Sequence, residues 1–190
     1  VLEKIYEPLK NQTITIQQLE YTFEELEIMT RAEFECIEPN ADHNNGKNLL
    51  FVQTAVRIIS KFLLEEKNAL KNGVTIKLLH TEAQFEYNLK LNEDIVKLRG
   101  TIDRMDEWDQ IIRIIDYKTG SLDPSKLKVT AIEDVFEDPE YDKAFQLLFY
   151  TLLYHKNYHS FEWLPLFSHH LYYLYLKDHD LNNILDIQLL

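Results

Sequence analysis

An α/β domain, with a mixed sheet of about four or five strands flanked by helices and preceded by a helical lead, is the fold class this sequence predicts. Three observations carry it. Residues 18–36 and 49–70 show apolar positions at helical spacing, with no Gly or Pro inside either stretch. From residue 75 the chain turns to runs rich in Ile, Val, Leu, Thr and Phe, divided by short polar clusters. Near Asp138 helical spacing returns, and another β-rich run follows it.

The first helix spans 18–36 and ends at Pro39 and the polar run Asn40 to Gly46. The second carries Leu50, Val52, Val56, Ile59, Phe62 and Leu63 on one stripe and stops at Asn72-Gly73. Three strands follow at 75–91, 95–105 and 111–118. Asn92-Glu93-Asp94 divides the first two, and a four-residue turn, Glu107-Trp108-Asp109-Gln110, divides the last two. Thr119 opens a loop that runs to about residue 137. Asp138 then serves as N-cap and Pro139 as first helical residue of a helix to about 156. Residues 171–176 and 184–190 read as further strands. The whole is one domain over 1–190, with a helical lead at 1–72 and a core at 73–190.

Composition excludes several classes. With 190 residues and 45% apolar content, the chain can bury a sizeable core and is not a disordered tail. The single cysteine, Cys36, excludes an internal disulfide framework and a self-contained four-cysteine metal cluster. It reads as a small buried apolar residue. No apolar run is long enough to span a bilayer. A net charge of −12 argues against a basic nucleic-acid coat. The charge is uneven, however: residues 97–128 hold seven basic and six acidic side chains, so one face stays open to a polyanion.

Acidic residues stand where a buried sheet calls for apolar ones: Glu82, Asp103 and Asp116, with Lys118 two residues beyond the last. A four-residue turn at 107–110 places Asp103 opposite Ile114. Side chains repeat every two residues along a strand, so Asp103, Asp116 and Lys118 share one face. The upstream hairpin places Gln84 opposite Asp103, with Glu82 diagonal to it on that face. Glu86, four residues along, competes with Glu82 for the assignment. Carboxylates gathered this way repel one another and call for a cation. An all-oxygen set selects a hard ion, Mg²⁺ or Mn²⁺. Lysine beside carboxylates and a divalent ion is equipment for hydrolysing a phosphodiester. The other acid-x-lysine run, Glu65-Glu66-Lys67, sits in a helix and reads as surface. His169-His170 is not a metal pair, because strand neighbours face opposite sides.

Three motifs then acquire a common meaning. Gly100-Thr101-Ile102-Asp103-Arg104-Met105-Asp106, Ile115-Asp116-Tyr117-Lys118-Thr119-Gly120 and Gln146-Leu147-Leu148-Phe149-Tyr150 resemble successive motifs of the PD-(D/E)XK nucleases, in particular the RecB/AddB-type exonuclease domain of bacterial helicase–nucleases. The resemblance covers roughly 75–176. It implies a restriction-endonuclease-like fold and metal binding by Asp103, Asp116, Glu82 and the Tyr117 backbone carbonyl. It implies catalysis by Lys118 with those carboxylates. Gln146 and Tyr150, one helical turn apart, support the site. Arg104, Lys126, Lys128 and Lys143 are candidate phosphate contacts.

The implied activity is a Mg²⁺-dependent deoxyribonuclease, exonucleolytic, working in DNA repair or recombination in the bacterial cytoplasm. Its partners are DNA and a helicase portion of the parent chain or a partner subunit, with no membrane. Family domains also carry a histidine ligand in a helix just before a Val/Leu-Leu-Glu stretch. Because this chain opens at Val1-Leu2-Glu3, the resemblance implies a fragment lacking that ligand and therefore weakly active. It holds no iron–sulfur cluster. The second reading is a nuclease-fold module, weak or inactive in cleavage, that binds DNA or docks a subunit.

Overall fold

The computed structural model describes residues 1–118, 132–158, 170–175 and 184–186. The chain opens with α1 (Leu2–Tyr6) and a 3₁₀ turn, then α2 (Ile16–Ile37) and α3 (Gly46–Lys71). Next come β1 (Ile76–Leu91), β2 (Asp94–Trp108) and β3 (Ile111–Lys118). After them lie α4 (Ile132–Glu137), a second 3₁₀ turn, α5 (Asp142–Tyr158), β4 (His170–Tyr175) and β5 (Ile184–Asp186).

Local chemistry explains the boundaries. Thr15 caps α2 with a capping box: its side chain accepts from the Gln18 amide at 3.2 Å, and Gln18 Oε1 accepts from the Thr15 amide at 2.8 Å. The helix thus begins two residues ahead of the apolar pattern. Gly73, at φ +90°, releases the chain from α3 as its sequence signalled. Asp138 does cap, accepting from the Glu140 amide at 2.8 Å. What it starts is a 3₁₀ turn at Pro139–Tyr141, with α5 beginning after it. The expected loop before Asp138 also contains the short helix α4.

The five strands form one sheet in chain order. β1, β2 and β3 are antiparallel, β4 lies parallel to β3, and β5 returns antiparallel. A parallel β3–β4 pair needs a crossover, and α5 lies within it. On one face α1, α2 and α3 pack through Tyr6, Leu19, Leu26, Ile59, Phe62 and Leu63 onto Ile76, Leu78 and Ile115. On the other face α5 packs through Leu147, Tyr150 and Leu153 onto Phe85, Ile102, Met105 and Ile114. Segment 11–14 hydrogen-bonds to Ile76 and Leu78, which covers that part of the outer edge of β1. No helix among the described residues is long and apolar enough to cross a membrane.

Two details of register differ from expectation. Both hairpins close with two-residue turns. Trp108 pairs with Ile111 across Asp109-Gln110, and Leu91 pairs with Asp94 across Asn92-Glu93. Asp109 and Gln110 both have positive φ, +48° and +70°, as a primed hairpin turn requires. Asp109 also accepts from the Thr75 amide at 2.7 Å, which holds the turn without glycine. Ile114 therefore faces Met105 rather than Asp103, and Gln84 faces Thr101. Each shift is two residues, so the alternation along the paired part of the ladder is kept.

Cys36 is exposed, against expectation. The buried stripe of α2 runs through Leu19, Thr22, Leu26 and Thr30, and Cys36 falls off its continuation.

Candidate functional site

Glu82 and Asp103 fall between the flanking strand pairs Thr81–Arg104 and Ala83–Ile102. The β2–β3 ladder ends at Arg104–Ile115, and Asp103 and Asp116 lie one residue beyond it. The three carboxylates thus form a row across three strands.

At that row the strands rotate. Gly100 lies against α5: a Cβ there would meet Leu153 Cδ1 at 2.9 Å and Tyr150 Cε1 at 3.0 Å. Ile102 belongs to the same α5 layer. Arg104 has the same strand parity yet points to the lead helices, where Glu66 of α3 meets it at 2.6 Å. The turn-over happens at Asp103. On β1 it happens at Glu82, whose φ of +44° is a left-handed value that a non-glycine residue rarely adopts. Ladder bonding is interrupted there, and a side chain takes its place. Asp103 Oδ2 accepts from the Tyr117 amide at 2.7 Å.

Asp116 is nearly fully buried. Its Oδ2 lies 2.5 Å from Lys118 Nζ, and its Oδ1 accepts from Gln146 Nε2 at 3.2 Å. The same Gln146 amide donates to the Tyr150 hydroxyl at 2.8 Å. Gln146 and Tyr150 share a face of α5, as their spacing predicts, and together span helix and carboxylate. Lys143, one turn earlier, is near enough to favour ionised Asp116 and also pairs with Asp142 at 2.8 Å.

Burial dominates the electrostatics, and neighbouring acids add to it. Burial, with Asp116 and Glu82 adding to it, pushes Asp103 up to about 6 against the lowering effect of the Tyr117 amide and Lys118. Burial also raises Asp116, although Lys118 and Lys143 oppose it. Glu82, by contrast, is exposed and not at the buried position expected of it; partial burial of its carboxyl raises it, with Glu3 and Asp116 adding to that. Lys118 supplies one positive charge, against Asp116. No three His, Cys, Asp or Glu side chains among the described residues stand gathered as a ready metal cage.

Arg104 does not reach a substrate. Its side chain is fully buried, 2.7 Å from Asp106 as well as against Glu66, with its guanidinium 4.2 Å from the Tyr6 ring centre. A phosphate could approach it only by displacing Glu66 and the aromatic floor. Lys126, Lys128 and His169 lie outside the described residues, as does the side chain of His170. Glu66, read as surface, is buried. The signal was present: Glu66 continues the stripe of Val52, Ile59, Phe62 and Leu63. Lys67 beside it is half-buried against α2, pairing with Glu20 at 2.9 Å.

An apolar cleft of about 800 Å³ opens beside Glu82. Phe34, Phe51 and Ile58 line it, with Leu2 and Glu3 from α1.

Comparison with known proteins agrees with this architecture. The chain is 26% identical over 134 residues to an ATP-dependent helicase/nuclease subunit of Listeria monocytogenes. That match covers 70% of the chain but spans only 10% of the relative's length. No solved structure matches. The family model of the PD-(D/E)XK nuclease superfamily matches residues 1–183, and to that superfamily the chain belongs.

Proposed function

We propose that this chain hydrolyses DNA phosphodiesters with a divalent metal, acting exonucleolytically beside a helicase in bacterial DNA repair or recombination. The observation that carries the reading is the row Glu82, Asp103 and Asp116 with Lys118 against its last member. Family membership and the helicase/nuclease relative support a nuclease. The exonucleolytic mode, DNA as substrate and the cytoplasmic setting rest on the motif resemblance.

The donor set fits a hard cation. It is all oxygen, and burial, with Asp116 and Glu82 adding to it, already raises Asp103 to about 6, a cost that a bound cation would relieve. Asp103, Asp116, Glu82 and the Tyr117 carbonyl would hold Mg²⁺, with Mn²⁺ as a substitute. Bound there, the ion supplies Lewis-acid polarisation of the phosphate and a more acidic attacking water. Lys118 positions that water or stabilises charge developing on the phosphate. Gln146 holds Asp116 in one orientation and ties it to Tyr150. Lys143, whose charge reaches Asp116, is the candidate for a backbone-phosphate contact among the described lysines named for that role.

The second reading, a docking module that does not cut, draws on the net charge of −12 and the absence of a ready metal cage among the described residues. Degradation of linear single- and double-stranded DNA with Mn²⁺ separates the two. Cleavage that disappears in Asp116→Ala supports the nuclease. Silence in both proteins, with no Mn²⁺ binding, supports the docking module.

A further inference from the structure

We propose that the buried Glu66–Arg104 pair is a positioning device for the carboxylate row, holding Asp103 and the Tyr117 backbone in place from the lead side of the sheet. The inference rests on the nuclease reading above and adds to it a residue outside all three motifs, Glu66 of α3.

Four charges lie in the interior behind the row. Glu66, Arg104, Asp106 and Arg113 are all buried, two acids against two guanidiniums. Arg104 lies 2.6 Å from Glu66 and 2.7 Å from Asp106. Asp106 in turn takes both arms of Arg113, at 2.7 and 2.8 Å. Tyr6 of α1 donates its hydroxyl to the other Glu66 oxygen. The network thus ties α1 and α3 to β2 and β3. Burying charge in this way is poor stabilisation, since well-packed apolar residues of similar volume often serve as well or better. The position of the pair suggests a different use.

Arg104 is the residue next to Asp103, and Asp103 has no ladder partner on β3. The strand turns over at Asp103, from Ile102 in the α5 layer to Arg104 in the lead layer. A rotation of that kind is held only if both flanks are anchored. Ile102 supplies one anchor by packing. Glu66 supplies the other by fixing Arg104. The same cluster reaches Tyr117: its ring packs 5.9 Å from Phe62, its phenol senses both Arg104 and Glu66, and its amide is the donor to Asp103. Loosening the pair therefore loosens both ends of the Tyr117–Asp103 bond.

The test replaces both charges with apolar residues, Glu66→Met with Arg104→Met, and leaves Asp106 and Arg113 to balance each other. Three quantities are read by NMR, thermal melting and calorimetry: exchange of the Tyr117 amide in the metal-free protein, the melting temperature, and the Mn²⁺ Kd. The positioning role predicts a melting temperature at or above wild type, Tyr117 exchange at least tenfold faster, and Mn²⁺ binding at least tenfold weaker. The Leu63 amide in α3 keeps its wild-type exchange rate. Glu66→Gln alone shifts Tyr117 exchange in the same direction. A folded double variant with unchanged Tyr117 exchange and Mn²⁺ Kd overturns the proposal. A double variant that no longer folds also overturns it, by making the pair a stability element. Wild-type protein that binds no Mn²⁺ sinks the nuclease reading, while Tyr117 exchange still decides the positioning role.

Discussion

The Tyr117 amide donates to Asp103 Oδ2 at 2.7 Å where the β2–β3 ladder stops. A carboxylate thus closes the gap between two strands while two other acids crowd it. Burial and those neighbours outweigh the stabilising bond, so Asp103 sits at about 6 rather than near its usual 3.8. The sign follows. The folded state holds a proton on Asp103 that the unfolded state releases between about pH 4 and 6. Metal-free stability therefore rises as pH falls through 6, and is lost again as pH rises. Asp103→Asn removes this dependence and stabilises the metal-free protein at pH 7 by about 1–2 kcal/mol, allowing for solvent screening. Denaturant titrations of both proteins at pH 5 and 7 check it. Mn²⁺ affinity of the wild type is flat above pH 7 and falls about tenfold per unit below 6.

Lys118 neutralises Asp116 at 2.5 Å, where a metal would compete for the same oxygen. Lys118→Met is expected to leave Mn²⁺ affinity equal or tighter and to lower kcat by about 10²–10³. Calorimetry and single-turnover cleavage measure the two separately. A loss of metal binding in this variant would show that the lysine serves to shape the site rather than to act in it.

Gln146 donates to Asp116 and to the Tyr150 hydroxyl. Gln146→Ala removes about 1 kcal/mol of orientation from Asp116, which is about fivefold in kcat, with little change in KM for DNA. Steady-state kinetics on a fluorescent oligonucleotide resolve a change of this size.

Gly100 leaves no room for a side chain beneath α5. Leu153 Cδ1, the nearer neighbour of an added Cβ, can swing aside. Tyr150 is a stiff ring held by Gln146 and cannot yield as easily. Gly100→Val is expected to cost about 1–3 kcal/mol by overpacking and to disturb the Gln146–Asp116 contact as well. Thermal melting and kcat measured on one preparation would show the two losses together.

The positions of the acids were legible in the sequence because strand parity is robust. The turn expected at 107–110 is two residues shorter in the structure, and the one before it keeps its length but sits one residue earlier; each change shifts the pairing by two, and Asp116 keeps its expected face, toward Gln146 of α5. An even error in turn length leaves a period of two intact. The Gln146–Tyr150 pair was legible for the corresponding reason in a helix. The hidden part began where parity itself fails. Positions 102 and 104 share a parity and face opposite layers, because the strands turn over at Glu82 and Asp103.

By itself the sequence determined which residues can form strands and helices, which acids interrupt the strands, and that Asp116 lies on one face with Lys118. Those are local matters of period, turn and residue type. Only the tertiary structure decided that Arg104 turns inward, that Glu66 meets it, and that Asp103 takes the Tyr117 amide in place of a strand. Arg104 and Glu66 are 38 residues apart in the chain, and each alone is a polar residue that belongs in water. Burial became possible only when α3 packed across β2 and brought opposite charges together. No local pattern encodes that meeting, because it depends on where two distant elements cross.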